Sequence, residues 1–163
     1  MLKSYHFTIL LLLSFFCSAA EYRANLCNKN EKILLNCLSG IKIASICASN
    51  DATRSSGYAK YRFGTPQKIE LEFPPQYAPP SASFSFNSIP RPGGSMATIS
   101  FTNGNHTYLI KDESGHPPGE ETGFESNTKI LIYKGDSRVK EILCENYNSG
   151  FNSGLYEIFE NEN

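Results

Sequence analysis

Along most of the chain, apolar and polar residues alternate in short runs broken by glycine, proline and asparagine. Residues 68–73 set Ile69, Leu71 and Phe73 against Lys68, Glu70 and Glu72, and residues 81–87 interleave serines with Ala82, Phe84 and Phe86. Such period-two runs predict half-buried β-strands. The same reading gives strands over 32–38, 41–48, 58–63, 96–102, 105–111, 128–133 and 139–144. Turn signals join three neighbouring pairs: Ser39-Gly40, Asn103-Gly104 and Lys134-Gly135-Asp136-Ser137. About eight or nine close-spaced strands, with no long helical period between them, predict an all-β fold, an antiparallel barrel or sandwich. One stretch competes, because Leu34, Cys37, Leu38, Ile41, Ala44 and Ala48 also fit a helical stripe. Gly40 would weaken that helix and the nearby isoleucines favour strands, so a hairpin is expected. After two Asn-Ser-Gly triplets at 148–150 and 152–154, residues 155–159 predict a short helical segment packed on a sheet edge.

The start of the chain departs from this pattern. Lys3 precedes an apolar run from residue 7 to 16, followed by Ser18-Ala19-Ala20 and then by polar residues. A charged tip, a short apolar centre and small residues before a cleavage point predict a secretory signal peptide over residues 1–20. The run is too short for a membrane span, which needs about 20 apolar residues. Removing 20 of the 163 residues leaves 143, enough for a single disulfide-bonded domain over 21–163. Cys17 ends the apolar run, but Phe15 and Phe16 stand where a lipid-attachment signal has small residues, which argues against a lipid anchor. Without Lys3 the balance is 14 basic against 16 acidic side chains. That charge argues against nucleic acid or an anionic membrane surface as the main partner. No later segment is long and apolar enough for stable membrane insertion.

Beyond the signal lie four cysteines, Cys27, Cys37, Cys47 and Cys144. An even number in a small exported domain predicts two disulfides, and without a C-x-x-C a metal site has no support. With Ser39-Gly40 as a two-residue loop, Cys37 faces Lys42 and Lys32 faces Cys47. Cys37 and Cys47 then point to opposite faces and lie about 16 Å apart along the hairpin, beyond the roughly 7 Å reach of a disulfide. This register favours Cys27 with Cys47 and Cys37 with Cys144, ahead of Cys27 with Cys37 and Cys47 with Cys144.

Candidate chemistry is sparse. His106 is placed opposite Phe101, beside Ile99, Tyr108 and Ile110, with no nucleophile at a useful spacing, and His116 falls in the turn Gly115-His116-Pro117-Pro118-Gly119. No nucleophile elbow, zinc motif or phosphate loop is present, so no catalytic residue, no metal and no cofactor is expected, and the protein is read as a non-enzyme. Asn105-His106-Thr107 fits a glycosylation acceptor, relevant only in a eukaryotic host. The prolines of 74–80 and 89–94 read as extended connections. The stretch from residue 111 to 125 reads as an acidic loop, with Asp112, Glu113, Glu120, Glu121 and Glu125 against a single lysine. A solvated loop explains it, and so does an acidic projection into a partner's cationic cleft. On the second reading Asp112, Glu113, Glu120 and Glu121 are the partner contacts.

Ser45-Ile46-Cys47-Ala48-Ser49, the segment from Gly57 to Gly64 (Gly-Tyr-Ala-Lys-Tyr-Arg-Phe-Gly), Glu70-Leu71-Glu72-Phe73-Pro74 and Phe101-Thr102-Asn103-Gly104 together resemble uncharacterised small exported proteins of Gram-negative bacteria. The likeness spans residues 27–144, and its motifs are structural. The group is similar in design to periplasmic lysozyme inhibitors and to immunity proteins of type VI secretion. The resemblance implies a periplasmic protein that blocks an envelope-targeting toxic effector or hydrolase by occlusion. Two other classes stay open. One is a barrel that carries a lipid or glycan in a cavity lined by Phe84, Phe86, Phe101 and Tyr108, and the other is an envelope hydrolase whose site assembles only in space.

Overall fold

A computed structural model describes residues 25–91, 93–116, 119, 122–145 and 149–159. The signal segment, Cys17, Glu120 and Glu121 lie outside the described residues. In chain order the elements are β1 (Glu31–Ser39), β2 (Lys42–Ser49), β3 (Ala59–Thr65), β4 (Lys68–Phe73), α1 (Pro80–Ser83), β5 (Ser85–Arg91), β6 (Gly94–Asn103), β7 (His106–Gly115), β8 (Glu125–Lys134), β9 (Ser137–Leu143), β10 (Gly150–Phe151) and α2 (Ser153–Phe159). They form two antiparallel five-stranded sheets, ordered β10-β1-β2-β3-β4 and β5-β6-β7-β8-β9. Each sheet keeps two edges, so the architecture is a sandwich and the barrel alternative is set aside. The stretch that also fitted a helix is the β1–β2 hairpin.

Between the sheets, Ala44, Ile46 and Tyr61 of the first meet Ile99, Phe101, Ile110 and Ile130 of the second. Phe101 stacks on Tyr108 with ring centroids 4.7 Å apart and on Phe73 at 4.6 Å. Phe84 meets both Phe73 and Phe101 edge-on, and Phe86 packs on Tyr156 and Phe159. The four aromatics of the carrier reading are therefore spent on contacts with other rings. α2 buries Leu155, Ile158 and Phe159, as the apolar spacing of 155–159 predicts.

Three expectations need correcting. In the hairpins glycine opens the turn and does not close it: Ser39 pairs with Lys42 and Asn103 with His106, leaving Gly40-Ile41 and Gly104-Asn105 as the loops. Gly40 and Gly104 have φ of +59° and +61°, a left-handed conformation that favours glycine at the first loop position. Cys37 therefore faces Ala44 and Cys47 faces Ile33, and the partner of His106 is Asn103, with Phe101 facing Tyr108. Moving the turn by one residue changes the pairings nearest it by two, so Leu35 and Cys37 keep their expected face. A bulge between Ile33 and Leu35 shifts the pairing beyond it and turns Glu31, Lys32 and Ile33 to the face opposite the expected one. Second, Ser81, Ala82 and Ser83 form a helical turn, while the strand continues through Ile89-Pro90-Arg91, expected as a linker. Proline is tolerated there because β5 is an edge strand. Third, the stretch read as a loop from residue 111 is strand as far as Gly115, which pairs with Glu125.

The disulfides join Cys27 to Cys47 and Cys37 to Cys144, with Cα separations of 5.4 and 5.0 Å. The first lays the segment before β1 across the outer face of the first sheet, and the second ties β1 to the end of β9.

Candidate functional site

Successive residues of a strand point to opposite faces, and this separates Asp112 from Glu113. Asp112 faces inward. Its Oδ1 accepts a hydrogen bond from Thr128 Oγ1 at 2.6 Å and its Oδ2 one from the Phe151 N–H at 3.1 Å. The carboxylate thus holds β10, an edge strand of the first sheet, to the second sheet. Glu113 faces outward and is ringed by cations, with Lys111 Nζ at 2.9 Å, Arg91 Nη1 at 3.1 Å and Lys129 Nζ at 3.9 Å. Partial burial pushes its carboxyl up, but the Lys111 hydrogen bond and the charges of Lys111, Arg91 and Lys129 outweigh this and hold it below the usual range. This part of the expected acidic projection therefore carries a net positive charge. The sequence had a signal for it: Lys111 and Glu113 are two apart, so they share a face.

Register defines the rest of that surface. One row runs Ile89–Met96–Glu113–Asn127 and the next runs Asn87–Thr98–Lys111–Lys129–Leu143. No described helix or strand lies across it, and Ile89 and Leu143 are 44% and 60% exposed. Phe124, in the connection before β8, is also exposed.

The outer face of the first sheet is the opposite case. Leu26 packs on Leu38 and Ile43, and beside them lies an ion network that sequence reasoning missed. Arg62 grips Glu31 with two nitrogens at 2.6 and 3.0 Å and donates from Nε to Glu72 at 2.8 Å. Lys60 donates to the other Glu72 oxygen at 2.7 Å and to the Pro75 carbonyl at 3.1 Å, with the Tyr77 ring 4.7 Å from its nitrogen. Burial raises the Glu31 carboxyl, but hydrogen bonds from Arg62, the Asn28 N–H and Tyr58 hold it below the normal range. Glu72 is also lowered, its burial outweighed by Lys60 and Arg62. Among the described residues no buried side-chain polar atom lacks a partner, so this network works as a seal. The detectable signal was charge opposition on one face, Lys60 and Arg62 against Glu70 and Glu72.

No family model, curated protein or solved structure matches this chain. The geometry stands alone as the guide to function.

Two smaller sites resolve simply. Cys27, Glu31 and Cys47 bring ligand-type atoms close together, but the sulfurs are bonded to each other and Glu31 is held by Arg62. His116 places Nδ1 2.5 Å from the Gly123 carbonyl and so closes the connection between β7 and β8.

Proposed function

We propose that this protein is an exported inhibitor or immunity protein of the bacterial periplasm, which blocks an envelope-targeting hydrolase or toxic effector by covering it. One observation carries the reading: the outer face of the first sheet is covered around Leu26 and the Arg62 network, whereas that of the second is open and mixes apolar with charged side chains. A sheet that buries one face needs polar cover on the other. Ile89 and Leu143 go beyond that need, and exposed apolar side chains beside charges are the composition of a contact surface. Two disulfides fit the oxidising space outside the cytosol.

In this reading Arg91, Lys111 and Lys129 surround Glu113 at the centre of the contact, and Glu120 and Glu121, which lie outside the described residues, are proposed as further contacts. Asp112 acts from beneath by fixing β10. Binding is contact without bond-making, and a stable complex of ordinary size would cover about 800 Å² of each partner. The test is co-expression with the toxin or hydrolase encoded beside its gene. Protection and a co-purifying complex are expected, and the double variant Lys111→Glu/Lys129→Glu should lose both while export and disulfide content stay normal. If no neighbouring toxin or lysozyme is neutralised or bound, the reading fails.

A further inference from the structure

On the outer side of the first sheet, where the segment before β1 passes β10, lies a groove of about 480 Å³. Its lining is Asn25, Ile33 and Asn36 on one side and residues 149–153 on the other, where the Phe151 side chain itself packs on the core. We propose that this groove binds a neutral saccharide. The inference is independent of the open sheet face.

Both walls are held before any ligand arrives. Cys27 is bonded to Cys47, and its N–H donates to Asn25 Oδ1 at 3.0 Å. The buried Ser45 hydroxyl accepts from the Leu26 N–H at 3.0 Å and donates to Asn36 Oδ1 at 3.4 Å. On the other wall, Ser149 Oγ accepts from the Leu38 N–H at 3.2 Å and the Asn152 N–H donates to the Leu34 carbonyl at 2.9 Å. Asp112 holds the Phe151 N–H from below. A groove fixed from both sides loses little freedom on binding, which is where weak polar ligands otherwise lose affinity.

The lining chemistry selects the ligand class. Asn25 and Asn152 each use the amide oxygen on backbone N–H groups, at 3.0 and 3.1 Å. Their amide N–H groups have no acceptor among the described residues and are available as donors. Ser149 and Ser153 add hydroxyls, Ile33 adds apolar surface, and among the described residues no charged side chain lines the groove. Among the described residues an anionic ligand would meet no cation there, and a lipid chain would strand the amides and hydroxyls. A sugar ring matches both halves, with hydroxyls for the amides and C–H groups for the Ile33 side chain. The volume also lies within the range of small-molecule sites.

The test is an NMR titration of the disulfide-bonded mature protein with chitotriose and, separately, maltotriose. The expected result is saturable shifts confined to Asn25, Asn36 and residues 149–153. Binding of chitotriose alone places an acetamido group on the amides, whereas equal binding of both places ring hydroxyls there. Asn25→Ala should weaken binding about tenfold, as loss of one polar contact does. Asn152→Ala should weaken it too, and intact amide exchange protection in β1 and β2 shows that each variant is folded. No saturable shift with either sugar, shifts centred elsewhere, or full binding by Asn25→Ala would overturn the proposal.

Discussion

Arg62 carries more of the first sheet's outer face than any other residue. It holds Glu31, whose side chain is 1% exposed, and so fastens the segment around Leu26 to β3. Replacing Arg62 with Met removes the charge that keeps a buried carboxylate in place. The expected loss is about 3–5 kcal/mol of stability, read from denaturant unfolding. Glu31 and Glu72 also set an acid limit. Both are held below their ordinary values in the fold, so the unfolded chain binds protons more readily than the native one. The stability they contribute is present above the ordinary carboxylate pKa of about 4.3 and is lost as pH falls through the lower native values. Unfolding midpoints should therefore drop steadily below about pH 5, and Glu31→Gln should flatten that decline. A wild-type midpoint unchanged down to about pH 3 would contradict the assignment. At Asp112, substitution by Ala should release β10, seen as lost amide protection at Phe151 with β6 and β7 unaffected.

At the scale of elements, the hairpins depend on glycine in a position the dipeptide Asn-Gly did not indicate. A Cβ on Gly40 or Gly104 would meet nothing within 4 Å, so the cost of an alanine there is torsional. Gly40→Ala and Gly104→Ala should each destabilise by about 1–2 kcal/mol, with Asn at the same positions recovering part of it. Equal stability of the alanine variants would contradict the left-handed conformation assigned to these two positions. Near the turn the register error left each residue on its expected face, because parity survives a change of two. The bulge between Ile33 and Leu35 put Glu31 and Ile33 on the outer face, which no turn residue indicated. Strand length was less legible. Polar residues such as Ser114 and Ser126 have low strand preference, and they pair because the apolar ladder from Leu109 to Ile132 carries the register outward.

For the whole molecule, the two disulfides restrain the unfolded chain to different degrees. Cys37 and Cys144 are 107 residues apart, against 20 for Cys27 and Cys47. On the chain-entropy account, replacing the first pair with serines should cost about 4–5 kcal/mol and the second about 3 kcal/mol. Urea unfolding of the two double variants checks the order. The shorter bridge has a local duty as well, since it also holds one wall of the neutral groove. Its loss should therefore weaken saccharide binding beyond its effect on stability. The longer bridge joins β1 to the end of β9, one in each sheet, and together with the Asp112 contact it ties the two layers along that side.

Local pattern determined the nine longer strands, their inward and outward faces except before the bulge in β1, the short terminal helix and the favoured cysteine pairing. All of these follow from alternation and turn residues a few positions apart. Tertiary structure decided between sandwich and barrel, turned Asp112 inward to a clamp, and surrounded Glu113 with cations from three strands. It also covered one outer sheet face around Leu26 and Arg62 and left the other open. Those outcomes rest on contacts such as Glu31 with Arg62 and Asp112 with Phe151, whose partners lie far apart in the chain. No spacing rule reaches across such separations, because the closeness of the partners is set by how the two sheets pack.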